Sequence, residues 1–219
     1  MKCQKVRKYQ NVGKCQNVLK YQTLLLIVMA LFVTGCATTQ PRNVNDVCDI
    51  FVEKDDWYEA ANESAKRWGS PIPVMMAILH QESRFISQAQ PERSTILGFI
   101  PGPRPSNAYG YPQALDSTWD NYVRSVGNYG ADRDDFTDSI DFVGWYNNVS
   151  NKSCKIKSTD TYNLYLAYHE GQGGFNRRSY KNKAWLKKVA NKVSTKANAY
   201  TKQLNGCEKR LQSSSWWPF

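Results

Sequence analysis

The chain has 219 residues, with 29 Lys and Arg against 19 Asp and Glu, two His, six Cys and a formal charge of +10. Six of the bases precede residue 36; without them the balance is 23 to 19, or +4, which removes the charge-based case for nucleic-acid binding. With His80 and His169 the only imidazoles and no Cys/His spacing of metal-site type, the sequence implies no metal and no cofactor.

Residues 1–35 read as an export signal: Lys2, Lys5, Arg7, Lys8, Lys14 and Lys20 with no acid, then the apolar run Leu24 to Val33. That run is shorter than the roughly 20 residues a helix needs to cross a membrane. Val33-Thr34-Gly35-Cys36 resembles the lipobox of bacterial lipoproteins. The resemblance implies cleavage before Cys36, lipidation of its thiol and, because Ala37 and not Asp follows, an anchor in the outer membrane with the protein facing the periplasm. The expected organisation is a signal peptide at 1–35, a lipidated tether and linker at 36–47, one domain at 48–207, and a tail at 208–219 ending in Trp216-Trp217-Pro218-Phe219.

Within the domain the patterning is mainly helical. It predicts helices over Asp55–Trp68, closing at Gly69; Pro73–Phe85; Asp138–Asn148; Thr161–Glu170, ending at Gly171; and Lys181–Leu204, where Trp185, Val189, Val193, Tyr200 and Leu204 recur against a lysine face. Between the second and third lies Pro91 to Pro112, containing Pro101-Gly102-Pro103-Arg104-Pro105, expected to be a rigid loop without secondary structure. Its flanking Phe99, Tyr109 and Tyr111 suit the apolar faces of sugar rings, so the loop is expected to wall a glycan cleft. After the leader and Cys36, three cysteines remain, Cys48, Cys154 and Cys207, which allow three single pairings. Position favours Cys48 with Cys207, since these lie at the two ends of the domain.

Three segments carry the chemistry. In the first, Ala77 to Phe85, a helix places Ile78 and Leu79 at i−4 and i−3 from Glu82. An apolar surround disfavours the charged carboxylate, and a raised carboxyl is what a general acid at a glycosidic oxygen requires. For an isolated Glu a solvated helix end is the competing reading. The second segment is Ala108-Tyr109-Gly110-Tyr111-Pro112-Gln113-Ala114-Leu115-Asp116-Ser117-Thr118-Trp119. The third is Tyr165-Leu166-Ala167-Tyr168-His169-Glu170-Gly171-Gln172-Gly173-Gly174.

In order and spacing the three resemble the motifs of lytic transglycosylases with a goose-lysozyme-like domain: Glu-Ser on a helix, Gly-x-x-Gln with Thr five residues on, and Ala-Tyr-Asn-x-Gly-x-Gly. The match falls on Glu82 and Ser83, on Gly110, Gln113 and Thr118, and on Ala167, Tyr168, Gly171 and Gly173. Two departures stand out. Tyr111-Pro112 replaces a small or apolar pair before Gln113, and His169-Glu170 stands where the family has Asn after the Tyr. The resemblance implies a helical, lysozyme-like fold and cleavage of the β-1,4 bond between N-acetylmuramic acid and N-acetylglucosamine in peptidoglycan strands, leaving 1,6-anhydromuramic ends. It also implies roles: Glu82 as acid and base, Ser83 holding substrate or the Glu82 carboxylate, Tyr168 donating its phenol to Glu82, and Gln113 binding an acetamido sugar. Gly110, Thr118, Tyr109, His169 and Glu170 would support the substrate. Two alternatives stay open, a hydrolytic muramidase using Glu170 or Asp116 as a second carboxylate, and a non-catalytic peptidoglycan-binding lipoprotein.

Overall fold

A computed structural model describes residues 39–96 and 100–214. The leader and Cys36, Phe99, and the final Trp216 to Phe219 lie outside the described residues.

The described chain forms seven helices and one small hairpin. Helix α1 (Val47–Glu53) begins where Asp46 accepts hydrogen bonds from the Cys48 and Asp49 amides, an N-cap of ordinary type. Helix α2 (Asp55–Trp68) has the predicted bounds and closes at left-handed Gly69. Helix α3 (Ile72–Ser83) is the centre of the molecule. Val74 through Leu79 are all buried, so it is apolar on every side and must be enclosed. Full burial of side chains such as Met75, Met76, Ile78 and Leu79 contributes roughly 2 kcal/mol each. Helices α4 (Asp116–Val126), α5 (Phe136–Cys154), α6 (Thr161–Asn176) and α7 (Ala184–Ser214) complete the fold. α2 packs on α5, α3 on α5 and α7, and α6 between α5 and α7. The result is mainly α, as the patterning predicts.

Several expectations need correction. The second predicted helix stops at Ser83, not Phe85: Arg84 and Phe85 both adopt left-handed backbone, at φ 53° and 63°. The Ser83 hydroxyl drives the stop, accepting from the Phe85 amide at 3.2 Å and so ending the helical ladder. The proline-rich segment is not structureless, because Thr95–Ile96 (β1) pairs antiparallel with Ile100–Pro101 (β2). The segment read as tether and linker is docked from Gln40 onward. Pro41 and Val44 are buried, Lys196 Nζ donates to Asn45 Oδ1 at 2.7 Å, and the Tyr200 hydroxyl donates to the Val44 carbonyl. α7 runs past Leu204 to Ser214, so residues 208–214 of the expected tail are helix. α6 continues beyond Gly171, but the backbone there is non-helical, φ 72° and ψ 157°, so Gly171 kinks the helix instead of ending it.

Cys48 and Cys207 are joined by a disulfide, with Cα atoms 6.2 Å apart, which ties α1 to α7; Cys154 is free. The bridge spans 159 residues, so its loss releases a large unfolded-state loop. The Cys48→Ser, Cys207→Ser pair is expected to lower unfolding free energy by about 3 kcal/mol in denaturant titration with unchanged secondary structure. A difference below about 1 kcal/mol would show that the chain termini hold without the bond.

Candidate active site

Glu82 lies in the last turn of the central helix α3 and lines a cavity of ≈ 380 Å³. Gln113, Leu115 and Thr118 line it together with Phe142 and Tyr146 of α5 and Tyr168, His169, Glu170 and Gly171 of α6. Three segments far apart in sequence therefore meet around one carboxyl group. Glu82 keeps part of its surface accessible, but its carboxyl is packed in dense protein. Desolvation raises it from 4.5 to about 7, against a hydrogen bond from Tyr165 that acts in the lowering direction. A carboxyl at that value can give and take a proton near neutral pH.

The partner of Glu82 is Tyr165 and not Tyr168. The Tyr168 hydroxyl donates to the Pro112 carbonyl at 2.6 Å, while Tyr165, one helical turn earlier on the same face of α6, hydrogen-bonds Glu82. The backbone carbonyl at Pro112 thus anchors Tyr168 and ties the second motif to the third. Burial, with the Glu82 charge adding to it, pushes both phenols up, so each stays protonated as a donor. Tyr165 was missed as a site residue; its position at i−3 from Tyr168 was the available signal.

Ser83 does not hold the Glu82 carboxylate. It is buried, donates back to the Leu79 carbonyl at 3.3 Å and caps the chain after α3, which fixes the end of the helix that carries Glu82. Gln113 does reach the cavity, held at a left-handed φ of 49°. Its Nε2 donates to the carbonyls of Ala89 at 2.8 Å and Gly110 at 2.9 Å. Both amide protons are thereby used, and the Oε1 acceptor is the end left for a ligand. Gly110 sits in the turn behind Gln113 with φ 76°, and a Cβ there would collide with the Arg133 carbonyl.

Of the loop aromatics, Tyr109 and Tyr111 do not form the cleft wall as expected. Tyr111 is fully buried against Trp57, ring centroids 5.7 Å apart, and pins the second motif to the core. Tyr109 donates its hydroxyl to Asp134 Oδ2 at 2.9 Å under the Arg133 guanidinium and does not line the cavity. The aromatic lining comes instead from Phe142, Tyr146 and Tyr168, on helices.

The two other carboxylates proposed from sequence differ from Glu82. Asp116 lies outside the cavity lining, paired with Arg133 at 2.8 Å and accepting from Asn107 Nδ2 at 2.7 Å. Glu170 lines the cavity, but Lys183 Nζ, 2.7 Å away, and His169 Nδ1, 3.1 Å away, both contact its Oε1, and Ser179 donates to its Oε2. Burial alone would raise this carboxyl; the hydrogen bonds from Lys183, Ser179 and His169 outweigh it and hold it down at about 2.

A family model described as Transglycosylase SLT domain matches residues 24–207. The chain belongs to this family. No curated protein matches it. As a member of the transglycosylase SLT family the protein is a lytic transglycosylase with a lysozyme-like helical domain, acting on peptidoglycan. Among the described residues of this transglycosylase no group of His, Cys, Asp and Glu is arranged to hold a metal ion.

Proposed function

We propose that this protein cleaves the β-1,4 bond between N-acetylmuramic acid and N-acetylglucosamine with Glu82 as its single acid and base. The supporting observation is the contrast between the two carboxyl groups of the cavity, Glu82 raised to about 7 and Glu170 held down at about 2 with its oxygens engaged. Protonated Glu82 gives its proton to the leaving oxygen as the C1–O bond breaks. The C6 hydroxyl of the same muramic ring attacks C1, and the Glu82 carboxylate takes the proton that this hydroxyl releases. A 1,6-anhydro ring closes and the acid is restored without water. Intramolecular attack supplies effective concentration that a free water lacks. Tyr165 steadies the carboxylate between the two transfers, and Gln113 Oε1 accepts from an acetamido N–H.

A hydrolytic muramidase would need a second working carboxylate, and Asp116 is the other one proposed from sequence. Asp116→Asn is expected to keep both the cleavage rate, within about twofold, and the anhydro product, because Asp116 lies outside the cavity lining and is itself about half exposed. A folded Asp116→Asn protein that no longer cuts purified sacculi would sink the single-carboxyl mechanism.

For location, the basic leader, the apolar run and Val33-Thr34-Gly35-Cys36 support export and lipid anchoring at Cys36, with the outer membrane as destination. Palmitate labelling that persists in Cys36→Ser would overturn the anchor.

A further inference from the structure

Trp185 is a large apolar side chain left 56% exposed at the start of α7. A single exposed indole is ordinary on a protein surface and by itself says nothing of a ligand. Its neighbour is informative: the His169 ring meets it edge to face, centroids 5.1 Å apart at 76°, and His169 also lines the cavity that contains Glu82. Trp185 does not itself line that cavity; through His169 the exposed indole stands beside the lining, at the rim.

The connection that carries Trp185 is clamped. Glu170 has only 4% of its side chain exposed, and it accepts from Lys183, two residues before Trp185, and from Ser179 in the turn between α6 and α7. It is ionised and so can only accept, which puts the proton of the contact on His169 Nδ1. One buried carboxylate thus contacts the imidazole directly and, through Lys183 and Ser179, the connection that carries the indole. His169 stands where the third motif departs from the family pattern, and Glu170 follows it.

We propose that Trp185 and His169 form a distal saccharide subsite that stacks a pyranose ring further along the strand than the pair cleaved at Glu82. Glu170, acting through Lys183 and Ser179, is its positioning residue. The inference rests on the reading of the Glu82 cavity as a glycan cleft. An indole face complements the C–H face of a pyranose, while the imidazole edge supplies a polar contact. The enzyme would then favour long strands over short fragments.

The test is calorimetric titration of the inert Glu82→Gln protein with N-acetylglucosamine disaccharide and hexasaccharide. The hexasaccharide should bind more tightly, and adding Trp185→Ala should weaken it about tenfold while leaving the disaccharide unchanged. Lys183→Met should copy that loss and Lys183→Arg should restore binding, which a general loss of folding would not do. A length preference that survives Trp185→Ala overturns the subsite alone. Equal loss for both oligomers in Lys183→Met overturns the positioning role, and absence of binding by either oligomer removes the glycan reading of the cleft together with the subsite.

Discussion

Replacing Glu82 with Gln is expected to reduce glycan cleavage by about 10³-fold, the scale set by loss of a positioned general acid, and at the same time to stabilise the protein above neutral pH. The second effect follows from the raised carboxyl. Below pH 4.5 folded and unfolded chains both carry the proton, and burial of the neutral acid brings no penalty. As pH rises from 4.5 to about 7 the unfolded chain ionises first, so stability is lost progressively and the loss is complete above the folded value. Gln has no charge to desolvate. Because Glu82 borders an open cleft, the gain is discounted to about 1–2 kcal/mol at pH 8, and it vanishes at pH 4. Melting curves at the two pH values check this, and a Gln variant less stable than the parent at pH 8 would contradict the buried-acid description. The rate of the unaltered enzyme should fall as pH rises through about 7, as the proton that Glu82 must donate is lost.

Gly110→Ala carries the other large effect, a loss of about 4 kcal/mol of unfolding free energy together with most of the activity. Two costs combine at this residue. A φ of 76° strains any L side chain, and the new methyl would overlap the Arg133 carbonyl, which cannot retreat while it accepts from the Tyr111 amide at 2.9 Å. Moving that turn moves Gln113 and Pro112 with it, and Pro112 is the partner of Tyr168. Gly127 provides the comparison: its φ is 74°, yet nothing lies within 4 Å of where a Cβ would stand. Gly127→Ala should therefore lose only about 1 kcal/mol. Equal losses at the two positions in urea titration would mean that backbone strain alone, and not the close approach to Arg133, decides the effect.

The helical fold was legible because its main signals are local. An apolar run such as Val74 to Leu79 and a cap such as Gly69 act within one turn, and the structure follows them. Helix ends were harder, because hydroxyls and glycines compete with the ladder in ways that depend on three-dimensional neighbours. Ser83 stops α3 early, and Gly171 bends α6 without stopping it. α1 and α4 lay outside the sequence reading: α1 is short and rests on the Asp46 cap and the bridge to α7.

Residue types around the site were legible, but their pairings were not. Glu82, Gln113, Thr118, Tyr168, His169 and Glu170 do meet in one cavity. Which phenol reaches Glu82 depends on the rotation of α6 against α3, and Tyr168 is drawn away by the Pro112 carbonyl. Aromatics in a loop looked available to sugars, yet Tyr111 is consumed by the core and Tyr109 by Asp134. A sequence states which side chains are present near a cleft; packing decides which of them are spent on holding it together.

The central claim is that one carboxyl suffices because the substrate supplies its own nucleophile, and the mass of the ends released from purified sacculi tests it most directly. The account predicts muramic ends lighter by one water than a hydrolysis product and resistant to borohydride reduction, with none formed by the Glu82→Gln protein. Reducible ends at the hydrolysis mass would contradict it, since water would then be the nucleophile and a second carboxylate would be required to activate it.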